Sequence, residues 1–303
     1  MIDFRPINLT QRESYDPILR GFAHRGCGYS FANLYMWGRQ SAAFVGKTLT
    51  FFSQFNGKSV YLFPAGQEDV RPAVDAVIHD AAKRGIPCRF IGLTHDDCAW
   101  LEQVYPGRFH YHFDRDSFDY IYDVHDLAEL KGKKFQKKRN HLNRFRQTHP
   151  DSRLVPITDE NLPVAAALAA KWYALRQETD PHGDYLMEQA ALRKALTHFA
   201  ELEMEGLLLL DGETPLALAM GSRMSEDTFD IHFEKALDIE DGSYAAINQG
   251  FASYLREKYP QIKWLDREDD MGLEGLRKAK MSYCPHHLIE KYWVCLLEDG
   301  YDY

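Results

Sequence analysis

Two hydrophobic periods alternate along this chain, and each switch between them marks a change of element. In the second half, Arg153 to Ile157 reads as a short strand. Thr158 is placed to cap a helix through "DENLPVAAALAAKWYALRQ", with Asp159 and Glu160 in its first turn. A second helix follows in "MEQAALRKALTHFAELE" and stops at Gly206. "GLLLLD", "TPLALAMGSRM" and "TFDIHFEKA" are three consecutive strands, the first two joined by an Asp211-Gly212-Glu213 turn. The third alternates, with Asp230, His232 and Glu234 on one face and Ile231, Phe233 and Lys235 on the other. The helix "YAAINQGFASYLREKY", the strand "IKWLD", the helix "LEGLRKAKMSY" and the strand "HLIEKYWVCLL" complete the half.

The first half repeats this order. "DFRPIN" is a strand, "QRESYDPILRGF" and "SFANLYMWGR" are helices, and "SAAFVG", "TLTFFSQF" and "KSVYLF" are strands. Asn56-Gly57 between the last two is a strong hairpin signal. "VRPAVDAVIHDAAKRG" is a helix, "CRFIGL" a strand, "DDCAWLEQVY" a helix, and "FHYHFDRDSFDYIYDV" a long strand or strand pair. The halves share an order of elements without residue-level identity. The reading predicts two domains, 1–130 and 131–303, each a mixed sheet flanked by helices.

Composition adds bounds. At 303 residues, 45% hydrophobic and 27% charged, the chain suits a globular protein whose core needs no disulfide or metal staple. Five scattered cysteines without a CxxC pair fit reduced thiols and a cytoplasmic location. The reading expects no signal peptide, and no apolar run is long enough to span a bilayer. Oligomeric state is not legible.

Charge changes the picture more. The net charge is −9, yet "KGKKFQKKRNHLNRFRQ" (Lys131 to Gln147) holds eight cations and no acid, leaving −17 for the rest. On a helix, Phe135, Leu142 and Phe145 share a stripe. One reading is a packed helix whose charges face water. The other is a phosphate-binding surface built from Lys133, Lys134, Lys137, Lys138, Arg139 and Arg144, with Asn140, His141 and Asn143 adding hydrogen-bonding groups. A pI near 5.8 argues against a general nucleic-acid coat but permits one local phosphate contact, with a tRNA acceptor end, a pyrophosphate or an anionic lipid headgroup.

The element order resembles two tandem GNAT-like (acyl-CoA N-acyltransferase) domains, an α/β (α+β) class. The basic "KGKKFQKKRNHLNRF", "IHFEKA" and "REDDMGLEGLRKAKMSY.P" are similar to the DUF2156 family, grouped with the C-terminal domain of phosphatidylglycerol lysyltransferase and with Fem-like aminoacyltransferases. The resemblance implies aminoacyl-tRNA as co-substrate, held at the basic helix, and an acceptor that is a small amine, a peptide or a lipid headgroup.

GNAT acetyltransferases hold the coenzyme A pyrophosphate on a glycine-rich loop at a helix N-terminus. Here that loop has only Gly242 before Ser243, and Asp238, Glu240 and Asp241 crowd it. The acids disfavour a pyrophosphate and suit another donor or a cationic amine. Gly242 and Ser243 remain binding candidates, with a plain N-cap at Ser243 or Asp241 as the alternative.

"DREDDMG" (Asp266 to Gly272) follows a strand, where α/β sheets gather ligands. Glu268 or Asp270 could take a proton or hold an ammonium. The alternative is a solvated turn whose acids pair with Arg277, Lys278 and Lys280; Arg277 and Lys280 also count as anion-binding candidates. His232 and Glu234 share a strand that lines the cleft in GNAT domains, where a Glu often serves as base. Tyr283 is positioned to donate a proton to a leaving group. No metal site is expected: the acidic spacing is not an EF-hand, and His286 and His287 should point to opposite faces of a strand. Serine-hydrolase, HExxH and P-loop motifs are absent.

Three readings follow. The first is an aminoacyltransferase acting from aminoacyl-tRNA on an amine or hydroxyl. The second is an N-acyltransferase using a coenzyme A thioester, and the third a non-catalytic RNA- or anion-binding module.

Overall fold

The computed structural model describes residues 1–55, 57–180, 185–238 and 242–297. In chain order the first elements are β1 (Arg5–Pro6), α1 (Arg12–Leu19), α2 (Phe31–Trp37), β2 (Gln40–Val45), β3 (Thr48–Phe55), β4 (Lys58–Ala65), α3 (Arg71–Arg84), β5 (Arg89–Leu93), α4 (His95–Val104) and β6 (Phe109–Phe113). Then come β7 (Asp119–Asp123), α5 (Val124–Glu129), α6 (Gln136–Thr148), β8 (Ser152–Pro156), α7 (Leu162–Thr179) and α8 (Leu186–Thr197). The last are β9 (Glu205–Asp211), β10 (Thr214–Arg223), β11 (Thr228–Ala236), α9 (Ser243–Lys258), β12 (Trp264–Asp266), α10 (Glu274–Met281), β13 (His287–Ile289) and β14 (Tyr292–Leu296).

Among the described residues these strands form two seven-stranded sheets, β1-β2-β3-β4-β5-β14-β6 and β13-β7-β12-β11-β10-β9-β8. Both are mixed, because β4 pairs with β5 and β11 with β12 in parallel while the neighbouring pairs are antiparallel. The expected pair of mixed sheets flanked by helices is therefore present. Two compact units contain them: Met1–Asp119 with Asp269–Leu273 and Leu288–Tyr303, and Tyr120–Glu268 with Glu274–His287.

Two segments divide between the sheets. The segment "FHYHFDRDSFDYIYDV" splits between sheets: β6 stays in the first, and β7 pairs with β12 in the second through Leu265 opposite Tyr122. "HLIEKYWVCLL" likewise splits into β13 in the second sheet and β14 in the first. The reason is burial. Val294 of β14 is wholly enclosed in the first core with Tyr61, Phe63, Val74, Val77, Phe90 and Phe109. Apolar alternation cannot report which of two sheets a strand joins.

Local signals explain most boundaries. Thr94 caps α4 and Asp97 returns the bond, a reciprocal pair that satisfies two orphan amides. α3 starts with Pro72 in its first turn and ends at left-handed Gly85. α7 begins later than expected. The Thr158 amide donates to Asn161 Oδ1 (2.8 Å), Asn161 takes the N-cap position, and Asp159 and Glu160 precede the helix. Of the Asn56-Gly57 turn, Asn56 lies outside the described residues; Gly57 is left-handed, as that turn requires.

The basic segment folds as the expected helix. Phe135, Leu142 and Phe145 are buried, and each full burial contributes about 1.5–3 kcal/mol. Within α6 no two Lys or Arg side chains stand three or four residues apart, so like-charge repulsion along the helix is small and the stripe docks α6. Its seat is the start of α9. A Cβ added to Gly242 would lie 2.4 Å from the His141 carbonyl and 3.1 Å from Phe145 Cβ, and Gly242 has φ +94°. Glycine is needed there on both counts.

Candidate active site

The second unit's site grows from the end of one parallel ladder. β11 and β12 pair from Thr228–Trp264 to Asp230–Asp266. Past that register, side chains link the two segments: His232 to Glu268, and Glu234 to Arg267.

A β-bulge sets the first link. Along β10, Met220 pairs with Phe233 and Gly221 with Ile231, so His232 is the extra residue. Gly221 makes this possible, since a Cβ there would lie 2.1 Å from the Asp230 carbonyl oxygen. His232 Nε2 sits 2.9 Å from Ser222 Oγ, and Nδ1 sits 3.0 Å from Glu268 Oε1 and 3.5 Å from Asp230 Oδ2. The His232 and Asp230 side chains are almost fully enclosed, while that of Glu268 is 17% exposed.

Glu268 is held by its backbone. It adopts left-handed φ of 56°, its amide donates to Asp266 Oδ1 (2.8 Å), and its carbonyl accepts from Lys280 Nζ (3.1 Å). Lys280 also donates to the Arg267 carbonyl. Lys280, expected on an anion-binding face, is thus buried beneath the loop it supports.

The second link is more crowded. Glu234 Oε2 receives Arg267 Nη2 at 2.5 Å, and Oε1 receives Asn248 Nδ2 of α9 at 3.0 Å. Arg267 lies over the Tyr283 and Tyr122 rings at 4.9 and 5.4 Å, and its Nη1 has no hydrogen-bond partner among the described residues. From α6, Lys138 Nζ lies 3.6 Å from the Tyr283 ring centroid. Burial, with the Arg267 charge beside it, lowers the Lys138 ammonium from 10.5 to about 8. Burial raises the Tyr283 hydroxyl above its ordinary value of 10.0, so it keeps its proton.

The remaining candidates separate. Lys133, Lys137, Arg144 and Arg146 are exposed and make no ion pair among the described residues. Lys134 pairs with Asp126 at 2.6 Å, and Arg139 donates to the Leu130 and Gly132 carbonyls, closing the turn before α6. Asn140 and Asn143 are exposed, Asn140 bonding to Gln136. Ser243 is buried at the first turn of α9, and Gly242, not Ser243 or Asp241, is the N-cap. Glu240 and Asp241 lie outside the described residues. Asp270 belongs to the first unit, fully buried against Arg115 at 3.3 Å. Arg277 is half-buried on α10. His286 and His287 do not point apart; their Nδ1 atoms are 3.0 Å from each other, because the strand starts only at His287.

The sequence does not single out Ser222, Asn248, Arg267 or Tyr122 as site residues. Asn248, polar amid the apolar "AAINQGF", carried a visible signal; Tyr122 carried none, since its sheet could not be read.

The family model for phosphatidylglycerol lysyltransferase, C-terminal, matches residues 19–295. The chain belongs to this family. A conserved protein of unknown function from Bacteroides thetaiotaomicron is 37% identical, with 98% of this chain and all of that one covered and a TM-score of 0.91. The C-terminal domain (DUF2156) of a putative lysylphosphatidylglycerol synthetase from Agrobacterium fabrum is 14% identical over 95% of this chain and 92% of its own, TM-score 0.68. A tandem GNAT protein from the clavulanic acid biosynthesis pathway is 8% identical over the full length of both, TM-score 0.50. The last two likenesses establish the fold, a tandem GNAT architecture. The family, named for a lysyltransferase, supports an acyl- or aminoacyl-transferase in general. Among the described residues, no helix is long and apolar enough to cross a membrane.

Proposed function

We propose that the protein transfers an aminoacyl group from aminoacyl-tRNA to an amine or hydroxyl acceptor. One observation carries this reading. α6 and the turn leading into it present Lys133, Lys137, Arg144 and Arg146 outward, and α6 places Lys138 inward, on Tyr283 beside the Glu234–Arg267 pair. Phosphate contact and acyl chemistry would meet across one helix.

In this scheme the exposed cations hold the phosphates of the tRNA acceptor end. The acceptor's nitrogen or oxygen attacks the ester carbonyl, and neutral Lys138 takes its proton. The new amide or ester bond forms as the ester to the terminal ribose breaks. Tyr283 donates a proton to the departing ribose oxygen. Arg267, anchored by Glu234, offers its Nη1–H to the oxygen that gains charge. Glu234 has both oxygens engaged, so it serves as the anchor in place of the base expected from sequence. The N-terminus of α9, where a coenzyme A pyrophosphate would sit in a GNAT domain, is buried under α6, which disfavours the thioester reading.

The test is binding of bulk aminoacylated tRNA across a salt series, followed by single-turnover deacylation with a panel of amines and headgroup alcohols. Wild-type protein should bind in a salt-dependent manner, and the Lys133, Lys137, Arg144 and Arg146 to Ala variant should lose that binding. Lys138→Met should bind normally and fail to transfer. Absence of wild-type binding at low salt, with a thermal shift by coenzyme A, would replace this reading with the thioester one.

A further inference from the structure

We propose that Asp230, His232 and Glu268 form a binding site for a divalent transition-metal ion of the zinc class. This goes beyond the transfer reaction and does not depend on it. Their ligand atoms all lie within 4.8 Å of one another. His232 Nδ1 is 3.0 Å from Glu268 Oε1 and 3.5 Å from Asp230 Oδ2. Neighbouring ligands on a tetrahedral ion with bonds near 2.0–2.1 Å stand about 3.3 Å apart, and the two separations from His232 Nδ1 already bracket that value.

The protonation logic agrees. Nδ1 carries at most one hydrogen and cannot donate to both carboxylates at once. As a lone-pair donor it can join both as the third ligand of one ion. The proton then belongs on Nε2, which lies 2.9 Å from Ser222 Oγ. A metal-bound imidazole whose other N–H is fixed by a neighbour is the usual arrangement around protein metals. One nitrogen and two carboxylates suit zinc, or manganese as a weaker competitor.

Rigidity and access are also provided. Asp230 and His232 lie on the strand and its bulge, both enclosed, with Gly221 admitting the close backbone approach. Glu268 is fixed by the Asp266 and Lys280 contacts and is the one partly exposed ligand, so the ion's fourth position faces the opening it leaves. Two ligands two residues apart and a third 36 positions on match no sequence motif, which is why the site is invisible before folding.

The test uses the full chain, stripped with a chelator and titrated with Zn²⁺ by calorimetry, with Co²⁺ absorption as the geometric readout. We expect one equivalent of Zn²⁺ bound, a higher thermal midpoint, and a tetrahedral Co²⁺ spectrum. Glu268→Gln, at the partly exposed ligand, should fold and weaken binding by about tenfold or more, and Ser222→Ala should weaken it about tenfold. His232→Gln should abolish binding. A folded wild-type protein with no saturable uptake of Zn²⁺ or Mn²⁺ would overturn the proposal. So would uptake that neither Glu268→Gln nor Ser222→Ala alters.

Discussion

Lys138 Nζ lies 3.6 Å from the ring centroid of Tyr283, so the helix that looks most like a solvated charge run sends one cation into the protein. Its lowered value has a sign that can be checked. Burial and Arg267 favour the neutral amine, and the nearby Glu234 charge partly opposes them. Between about 8 and 10.5 the unfolded chain binds the extra proton, so this residue's contribution to stability rises with pH across that window. Amine acetylation followed by mass spectrometry should give half-maximal labelling of Lys138 near pH 8. Glu234→Gln should move that midpoint lower. Labelling of Lys138 only above pH 10 would remove it as the proton acceptor.

Gly221 should be intolerant. Gly221→Ala sets a methyl group 2.1 Å from the Asp230 carbonyl, and the bulge that carries His232 must shift. A loss of about 3 kcal/mol in urea-denaturation stability is expected. Gly275, inside α10 with nothing within 4 Å of its would-be Cβ, provides the contrast. Gly275→Ala should stabilise by about 0.5–1 kcal/mol through helix propensity. Equal effects at the two sites would refute the steric argument.

Gly242 links the basic helix to α9. Gly242→Ala should displace α6, because the His141 carbonyl occupies the space a methyl group needs. Salt-dependent tRNA binding should weaken although every exposed cation remains. Unchanged binding would mean that the cations act without a fixed seat.

Asp80 governs acid stability in the first unit. Burial alone would raise its carboxyl, but Arg84, the Ile2 amide and the Tyr61 hydroxyl outweigh that and hold it below 3.8. The side chain is fully enclosed, 2.6 Å from Arg84 Nε and 2.9 Å from Tyr61 Oη. A depressed carboxyl stabilises above its unfolded value, and that stabilisation is lost as pH falls through the folded one. Asp80→Asn should cost about 3 kcal/mol at pH 7. The difference from wild type should shrink steadily below pH 4. A gap that stays constant to pH 2 would show that the ion pair is not its source.

The sequence by itself determined the order of elements, the docked stripe of Phe135, Leu142 and Phe145, and the concentration of acids after β12. Each is written in periods of two to four residues or in local composition, which neighbours along the chain can express. Only the tertiary structure decided that β7 and β14 exchange sheets, because strand pairing is a long-range choice among similar apolar faces. It alone made His232 the bulged residue, through a glycine one strand away, and turned Lys138 inward while Lys137 stayed in water. The same holds for Asp270, which stands two residues from Glu268 in sequence and packs in the other unit. Proximity in sequence set the charges of that loop; backbone geometry at Glu268 and burial against Arg115 set which of them meet His232.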